Sequence, residues 1–435
     1  MVYLWFFVVI LIPLVTEAQD QHCYANQTDP YVMFSTYTPY ELVHETSTNP
    51  VFVPQCQPLQ FWIMSRHGTR YTDTSGINNM WSLTSVRDNI LSNHEAKRGT
   101  LCTADLENLR KWTPQAVFTL SDDLAFQGFQ DLQNMAQRFK SRFPTLLNQS
   151  YSSDKFEVRF TNTQRTTLSA FSFVTGIFGS TYNVQLPQPI SKDSLIRPSS
   201  YCTKWINEVK NNPNSTVEMY AFEDGPEIQD LIKTVTDRLG FETPISMSDA
   251  THMYAACRFE KAWNVAKVSP WCAVFTDEDL TKLEYKEDLK YYYTKGFGND
   301  MNKDVGCPPA KDFLLRFSAL ESGEQQPAGV FYFSHDTDLM LLFSSLGIGE
   351  DDVPITHSNY EESRNRQWRT SLLTPFAGNF AVVFFKCDGD EPYKVQFYLR
   401  EKLLDMEGCD QGLCDWSYIK QKYSSIAENC NLDFC

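Results

Sequence analysis

No long run of glycine, serine or proline interrupts this chain, so it lacks the composition that keeps a polypeptide disordered. Positive charge is also short: 38 Lys and Arg stand against 54 Asp and Glu, a net charge of −16. That balance excludes nucleic acid or an anionic membrane surface as the main partner, since both reward a basic face. An anionic ligand would need a locally basic pocket in an acidic protein. Long apolar runs are missing as well. Leu4 to Val15 is an apolar block of 12 residues, short of the roughly 20 needed to span a bilayer. No internal repeat is present. Histidine is scarce, with seven in 435 residues, so any that share a motif stand out.

What is there points to an exported globular protein. Hydrophobic residues make up 42% and aromatics 14%, enough for a large core. Thr16-Glu17-Ala18 places small residues behind the apolar block, as a signal peptidase requires, and cleavage is expected after Ala18. The protein is therefore expected to be secreted, with no stable membrane anchor. Twelve cysteines, all beyond that site, are an even set for disulfides in an oxidising compartment. Local candidates are Cys257 with Cys272, and pairs among Cys409, Cys414, Cys430 and Cys435; a zinc site built from those last four is the rival reading. Sequons at Asn26, Asn148 and Asn214 agree with export and would lie on the surface.

Three segments share one pattern: a short β-branched or aromatic run, a polar loop, then helix-like spacing. The first is Phe61 to Ser65 followed by Arg66-His67-Gly68-Thr69-Arg70. The second is Glu157 to Thr161, then a loop ending in Arg165 and a helix to Gly179. The third is Val330 to Ser334, then His335-Asp336-Thr337 and a helix to Gly347. Alternating strands and helices predict an α/β fold with a mostly parallel sheet flanked by helices, whose ligands bind at the carboxyl ends of the strands. The three loops would meet there, with helix N-termini that favour phosphate. Apolar residues at helical spacing from Leu124 to Phe143 predict a helix over about 122–143, with Asp122 and Asp123 in its first turn. Phe380 to Lys386 and Val395 to Leu399 flank Asp388-Gly389-Asp390 and read as a hairpin on the sheet. Residues 1–18 read as the signal peptide, 19–199 and 313–435 as two parts of the α/β domain, and 200–312 as an inserted α-helical cap.

Phosphoryl transfer needs cations for the equatorial oxygens, an in-line nucleophile, and an acid for the leaving oxygen. Arg66, Arg70 and Arg165 can clamp a phosphate, with Gly68 giving the backbone room to approach it. His67 can attack as a neutral imidazole, His335 can donate a further hydrogen bond, and Asp336 can protonate the departing alkoxide. The arginines supply the charge, so no metal or other cofactor is expected. Because Asp336 must be protonated to act, an acidic optimum follows.

These residues resemble the histidine acid phosphatases, and within them the multiple inositol polyphosphate phosphatases. The resemblance rests on Arg66 to Arg70, the Arg165 loop, His335-Asp336, and the stretch from Thr374 to Val383. Thr38 to Glu41 and Ser269 to Cys272 also look like that branch, and the likeness covers nearly the whole mature chain. It implies that His67 is the phosphorylated nucleophile, that Arg66, Arg70, Arg165 and His335 hold the phosphate, and that Asp336 is the proton donor. Two positions depart from the family pattern. Thr72 stands where proline is common, which predicts a looser turn. His335-Asp336-Thr337 replaces the His-Ala-Glu frequent in the inositol polyphosphate branch, an arrangement shared with phytases and acid phosphatases.

The other five histidines, His22, His44, His94, His252 and His357, read as structural or surface residues. Asp338 is a rival acid, but it reads better as the cap of its helix. Glu361, Glu362, Arg364 and Arg366 read as a solvated charge run, and Lys204, Lys210 and Arg258 as candidates for distal phosphates. The leading expectation is a secreted phosphomonoesterase acting on inositol polyphosphates such as phytate. The alternatives are a broader acid phosphatase for small esters such as phosphoglycerates or sugar phosphates, and a non-catalytic binder of phosphorylated ligands.

Overall fold

Strand β1 (Cys56–Arg66) carries large apolar side chains on both faces: Phe61 and Ile63 point one way, Trp62 and Met64 the other, and all four are fully buried. Such a strand must lie between two covering layers. The computed structural model, which describes residues 23–180 and 184–435, places it at the centre of the sheet. The other main strands are β2 (Phe156–Phe160), β3 (Gly329–Ser334), β4 (Asn379–Cys387) and β5 (Tyr393–Leu399), arranged in the order β2-β3-β1-β4-β5. β2, β3 and β1 are mutually parallel, whereas β4 and β5 extend the sheet as an antiparallel hairpin, as the Asp388-Gly389-Asp390 turn predicted. The sheet is thus parallel where the three motif loops leave it. Two short strands, Lys402–Leu403 and Leu413–Asp415, complete the far side on β5.

The longer helices are α1 (Thr74–Glu95), α2 (Thr103–Lys111), α3 (Phe126–Arg142), α4 (Gln164–Phe178), α5 (Pro226–Leu239), α6 (Met247–Trp263), α7 (Asp277–Lys295), α8 (Met301–Glu321) and α9 (Asp336–Leu346). Leu132, Met135 and Phe139 of α3 and Phe173 and Ile177 of α4 cover the face of Phe61, Ile63, Phe331 and Phe333. Each of these side chains contributes roughly 1.5–3 kcal/mol on burial. The opposite face, with Trp62, Met64, Tyr332 and Phe380, joins a larger core that reaches Met80 of α1, Tyr254 of α6, Leu289 of α7 and Phe313 of α8.

Residues 198–321 are helical throughout their longer elements, with α8 continuous across position 312. The boundary drawn at 312/313 therefore cuts a hydrogen-bonded helix. The reason is packing on the sheet: Trp62 donates to Asp312 (2.9 Å), and its ring meets Phe313. Helix α3 also starts later than the apolar spacing suggested. Asp122 has a left-handed φ of 64°, and the residues beside it pair with the Arg66–Arg70 loop instead of winding into a first turn.

The twelve cysteines form six disulfides: Cys23–Cys102, Cys56–Cys387, Cys202–Cys435, Cys257–Cys272, Cys307–Cys430 and Cys409–Cys414. The Cys257–Cys272 pair is as expected. Of the last four, Cys409 and Cys414 bond to each other, while Cys430 and Cys435 reach back to Cys307 and Cys202, which removes the thiolates a zinc site would use. No helix among the described residues is long and apolar enough to cross a membrane. The expected signal peptide, the cleavage expected after Ala18, and His22 lie outside the described residues. Asn26, Asn148 and Asn214 are exposed.

Candidate active site

The parallel register aligns the ends of the three motif strands. Arg66 lies opposite Ser334 and Phe160 opposite Phe333, and the ladder continues one step into each loop: His67 donates its N–H to Ser334 O (3.0 Å) and Thr161 to Phe333 O (3.2 Å). His67, His335 and the start of α4, which carries Arg165, therefore share one edge. The two imidazole rings are 5.6 Å apart, centre to centre. Helix α4 is capped by Thr163, whose hydroxyl accepts from Thr166 N, and α9 begins directly after His335. Two positive helix ends thus face the same place.

His67 is buried, and its Nδ1 lies 2.8 Å from Gly68 O. A carbonyl can only accept, so Nδ1 carries the proton and Nε2 keeps its lone pair. Burial, then Arg66, Arg165, His335 and Arg70, push the imidazole well below its usual pKa and keep it neutral. His335 is held neutral in the same way, by burial and then Arg197 and Arg165, and its Nε2 meets Thr161 Oγ1 at 2.9 Å.

The arginines are anchored but not exhausted. Arg66 is buried; its Nη1 donates to Thr36 O and to Thr374 O (3.0 Å), its guanidinium sits 4.6 Å over the Phe376 ring, and its Nε has no protein partner. Arg165 likewise leaves Nε unpartnered. Its Nη1 lies 3.8 Å from Asp122 Oδ1, and Arg70 Nη1 lies 3.1 Å from the same oxygen. Buried guanidinium N–H groups without acceptors are costly unless an anion is to receive them. Arg70 is steadied from behind, where its carbonyl accepts from Trp263 Nε1 (2.9 Å).

The loop around His67 is rigid. A Cβ on Gly68 would come within 2.4 Å of Gly128 O in α3, so glycine here serves the close approach of a helix, not the approach of a ligand. Thr69 donates from both its N–H (3.1 Å) and its hydroxyl (2.7 Å) to the buried carboxylate of Asp131, which burial pushes up to about 6. Thr72 does not loosen the turn. Its carbonyl accepts from Asp122 N (3.1 Å), Tyr71 N donates to Asp123 O (2.8 Å), and Ala125 N donates to Thr69 O (2.8 Å), so this two-stranded contact fixes the loop in place of a proline.

Asp336 opens α9 and its Oδ2 accepts from Lys295 Nζ at 3.0 Å. Burial raises the pKa of this carboxyl, but Lys295 and then Arg66 outweigh it and hold the group far below the carboxylate range. In the free protein Asp336 is an ion, so the expected acidic optimum cannot rest on its being protonated beforehand. Asp338 is not the helix cap, since His335 holds that position. Its buried carboxylate accepts from Ser334 Oγ (2.9 Å) and Ser199 N (3.2 Å), and burial raises it to about 6.

Asp122, Lys295 and Arg197 belong to this site and were not read from the sequence. Asp122 was masked by a helical pattern that took it into the first turn of a helix that begins only at Phe126, and Lys295 is separated from Asp336 by the whole of α8 and β3. Among the candidates for distal phosphates, Arg258 stacks 4.1 Å over Tyr37, a ring that Arg70 also faces at 5.9 Å, while Lys204 and Lys210 are exposed. Arg366 is buried against Asp288 (2.5 Å) rather than solvated, and Arg364 does lie outside, paired with Glu361 and Glu278. His44, His94 and His357 bond to Glu41, Ile90 O and Glu218 respectively.

Residues 59–400 match the model of the histidine phosphatase superfamily (branch 2). The chain is 36% identical to multiple inositol polyphosphate phosphatase 1 of Drosophila melanogaster, over 98% of this chain and 93% of that one, and 27% identical to the human protein of that name, over 93% and 88%. Phytase A of Aspergillus awamori is 22% identical over 91% of this chain and 86% of its own. Among solved structures, the fold is similar to the phytase from D. castellii, with a TM-score of 0.71, 16% identity, and 92% of this chain and 85% of that chain covered. It is also similar to the Bifidobacterium longum multiple inositol polyphosphate phosphatase in complex with inositol hexasulfate, with a TM-score of 0.67, 14% identity, and coverage of 92% and 98%.

Proposed function

Because this chain belongs to the histidine phosphatase superfamily, branch 2, we propose that it is a secreted phosphomonoesterase that hydrolyses inositol polyphosphates, phytate among them, through a phosphohistidine on His67. The relatives named as inositol polyphosphate phosphatases and phytases support the substrate class. The six disulfides support export.

The observation that carries the mechanism is the His67 tautomer. With Nδ1–H given to Gly68 O, Nε2 is the nucleophile. The substrate phosphate takes the free N–H groups of Arg66, Arg165 and Arg70 and is joined by His335. His335 Nε2 lies 2.9 Å from Thr161 Oγ1, and in the tautomer that carries its proton on the other ring nitrogen the imidazole donates to that phosphate. As the P–Nε2 bond forms, the P–O bond to the inositol breaks, and the leaving oxygen takes a proton from Asp336. Water then attacks phosphorus, Asp336 accepts its proton, the P–Nε2 bond breaks and inorganic phosphate leaves. A bound phosphate dianion beside Asp336 raises that carboxyl's proton affinity, so the acid form arises in the complex, and an acidic optimum follows from there.

Phosphate release from inositol hexakisphosphate at mildly acidic pH tests this directly. Wild type should turn over and His67→Ala should not, with its thermal unfolding unchanged. Turnover by both would overturn the mechanism, and release only from a simple aryl phosphate would favour a general acid phosphatase.

A further inference from the structure

Helix α7 ends against the active site, and its last residue meets the proton donor. Three contacts fix that end. The Lys295 carbonyl accepts from Ser344 Oγ of α9 (3.1 Å), the next carbonyl, of Gly296, accepts from Asn302 Nδ2 (2.8 Å), and a side chain on Gly296 would run into the Trp368 ring at 2.6 Å. The lysine stem then crosses Tyr291, one turn back, with Nζ 4.4 Å from the ring centre, and ends 3.0 Å from Asp336 Oδ2. Little solvent reaches the pair, whose side chains are 16% and 20% exposed. Such a charge-assisted hydrogen bond, largely shielded from solvent, holds the carboxylate in one orientation.

We propose that Lys295 is a positioning residue for Asp336, aiming its carboxylate at the leaving oxygen and setting the pH range over which that carboxylate takes up and releases its proton. The assignment rests on Asp336 being the acid. The groups that face Asp336 are Lys295 and Tyr291 from α7, Arg66 and His67 from the end of β1, and His335 at the head of its own helix. Lys295 itself faces Asp336, Lys290, Arg66 and Glu287. Arg66 has an unpartnered Nε–H for the phosphate and both histidines are neutral, so Lys295 is the cation that hydrogen-bonds Asp336 directly and comes first among those facing it. Its link is asymmetric in a useful way. A cation at this distance favours the ionised form, so it opposes idle protonation in the free enzyme, and in the second half of the reaction it favours an Asp336 anion ready to accept the proton of water.

The test is the pH profile of kcat for phosphate release from inositol hexakisphosphate, in wild type, Lys295→Met, Lys295→Arg and Asp336→Asn. Loss of one close opposite charge raises a carboxyl by about one to three pH units. Lys295→Met should therefore move the alkaline limb of kcat upward by at least one unit and lower kcat more than it changes KM, while Lys295→Arg should restore the wild-type limb. A Lys295→Met enzyme that is folded, binds inorganic phosphate and keeps the wild-type limb overturns the proposal. If the methionine variant does not fold, a Lys295→Arg limb displaced as far as the loss of charge would predict overturns it instead. Asp336→Asn separates the two levels: near-normal turnover there would sink Asp336 as the acid, whereas a large loss there with an unmoved Lys295→Met limb would sink Lys295 alone.

Discussion

Gly68 offers a sharp test of how His67 is held. A Cβ at this position would lie 2.4 Å from Gly128 O, 2.7 Å from Gly128 Cα and 2.8 Å from Gly128 C. All three are backbone atoms in the first turn of α3, so no side chain can swing away. Ordinary contact begins near 3.4 Å, and the loop or the helix must yield by about 1 Å. Helix α3 cannot move freely, because Leu132, Met135 and Phe139 are fully buried under the sheet. The motif loop must therefore give, and its hydrogen bonds from Gly68 N to Ser169 Oγ (3.0 Å) and from Thr69 to Asp131 give with it. Overpacking of this kind costs about 1–3 kcal/mol of stability. The larger effect is on chemistry: His67 precedes Gly68 and bonds its carbonyl, so a 1 Å shift misaims Nε2, worth about 10²-fold in rate. Gly68→Ala should thus lower kcat by about two orders of magnitude and KM by much less, read from steady-state phosphate release beside a urea unfolding curve. A folded Gly68→Ala enzyme with wild-type kcat would refute the idea that this backbone contact aims the nucleophile. Gly128→Ala should do equal harm, since its Cβ would fall 2.2 Å from Thr69 O.

Asp122 pairs with two of the arginines proposed to hold the phosphate, and its side chain is 45% exposed. Exposed pairs are worth about 0.2–1 kcal/mol, so Asp122→Asn should tighten inhibition by inorganic phosphate by about 1.4- to fivefold; weaker inhibition would mean that Asp122 orients the arginines more than it occupies them. Asp338 should leave a signature in stability. Its folded pKa of about 6 lies above the unfolded value, so its contribution is fully present below about pH 4 and is lost as pH rises through 6. The urea midpoint of Asp338→Asn should accordingly depend less on pH between 4 and 6.5 than that of wild type, and identical slopes would show that Ser334 and Ser199 fully solvate the ion.

How far the sequence reveals this site depends on the range of the interactions that build it. His67 with its arginines, and His335 with Asp336, follow strands whose β-branched or aromatic runs are local, and parallel pairing alone then brings their loops to one edge. The hairpin of β4 and β5 was legible for the same reason. Asp122 was not, because its carboxylate serves Arg70 and Arg165 only after residues 122–125 have paired with residues 69–72, and that pairing pulls them out of an otherwise persuasive helical pattern. The same contact explains why Thr72 can stand in for proline: backbone hydrogen bonds from a distant segment fix the turn that a ring would have fixed by itself. Lys295 is the extreme case. Nothing near it in the chain signals chemistry, yet the end of α7 is fastened to α9 at Ser344 and Asp336, so its position is decided by packing between helices. Four of the six disulfides join cysteines at least 79 residues apart, beyond any spacing rule, whereas Cys257–Cys272 and Cys409–Cys414 were within reach of one. The proposed nucleophile and acid thus sit on locally encoded strand ends, while the groups that set their charge and aim come from segments that tertiary folding alone delivers.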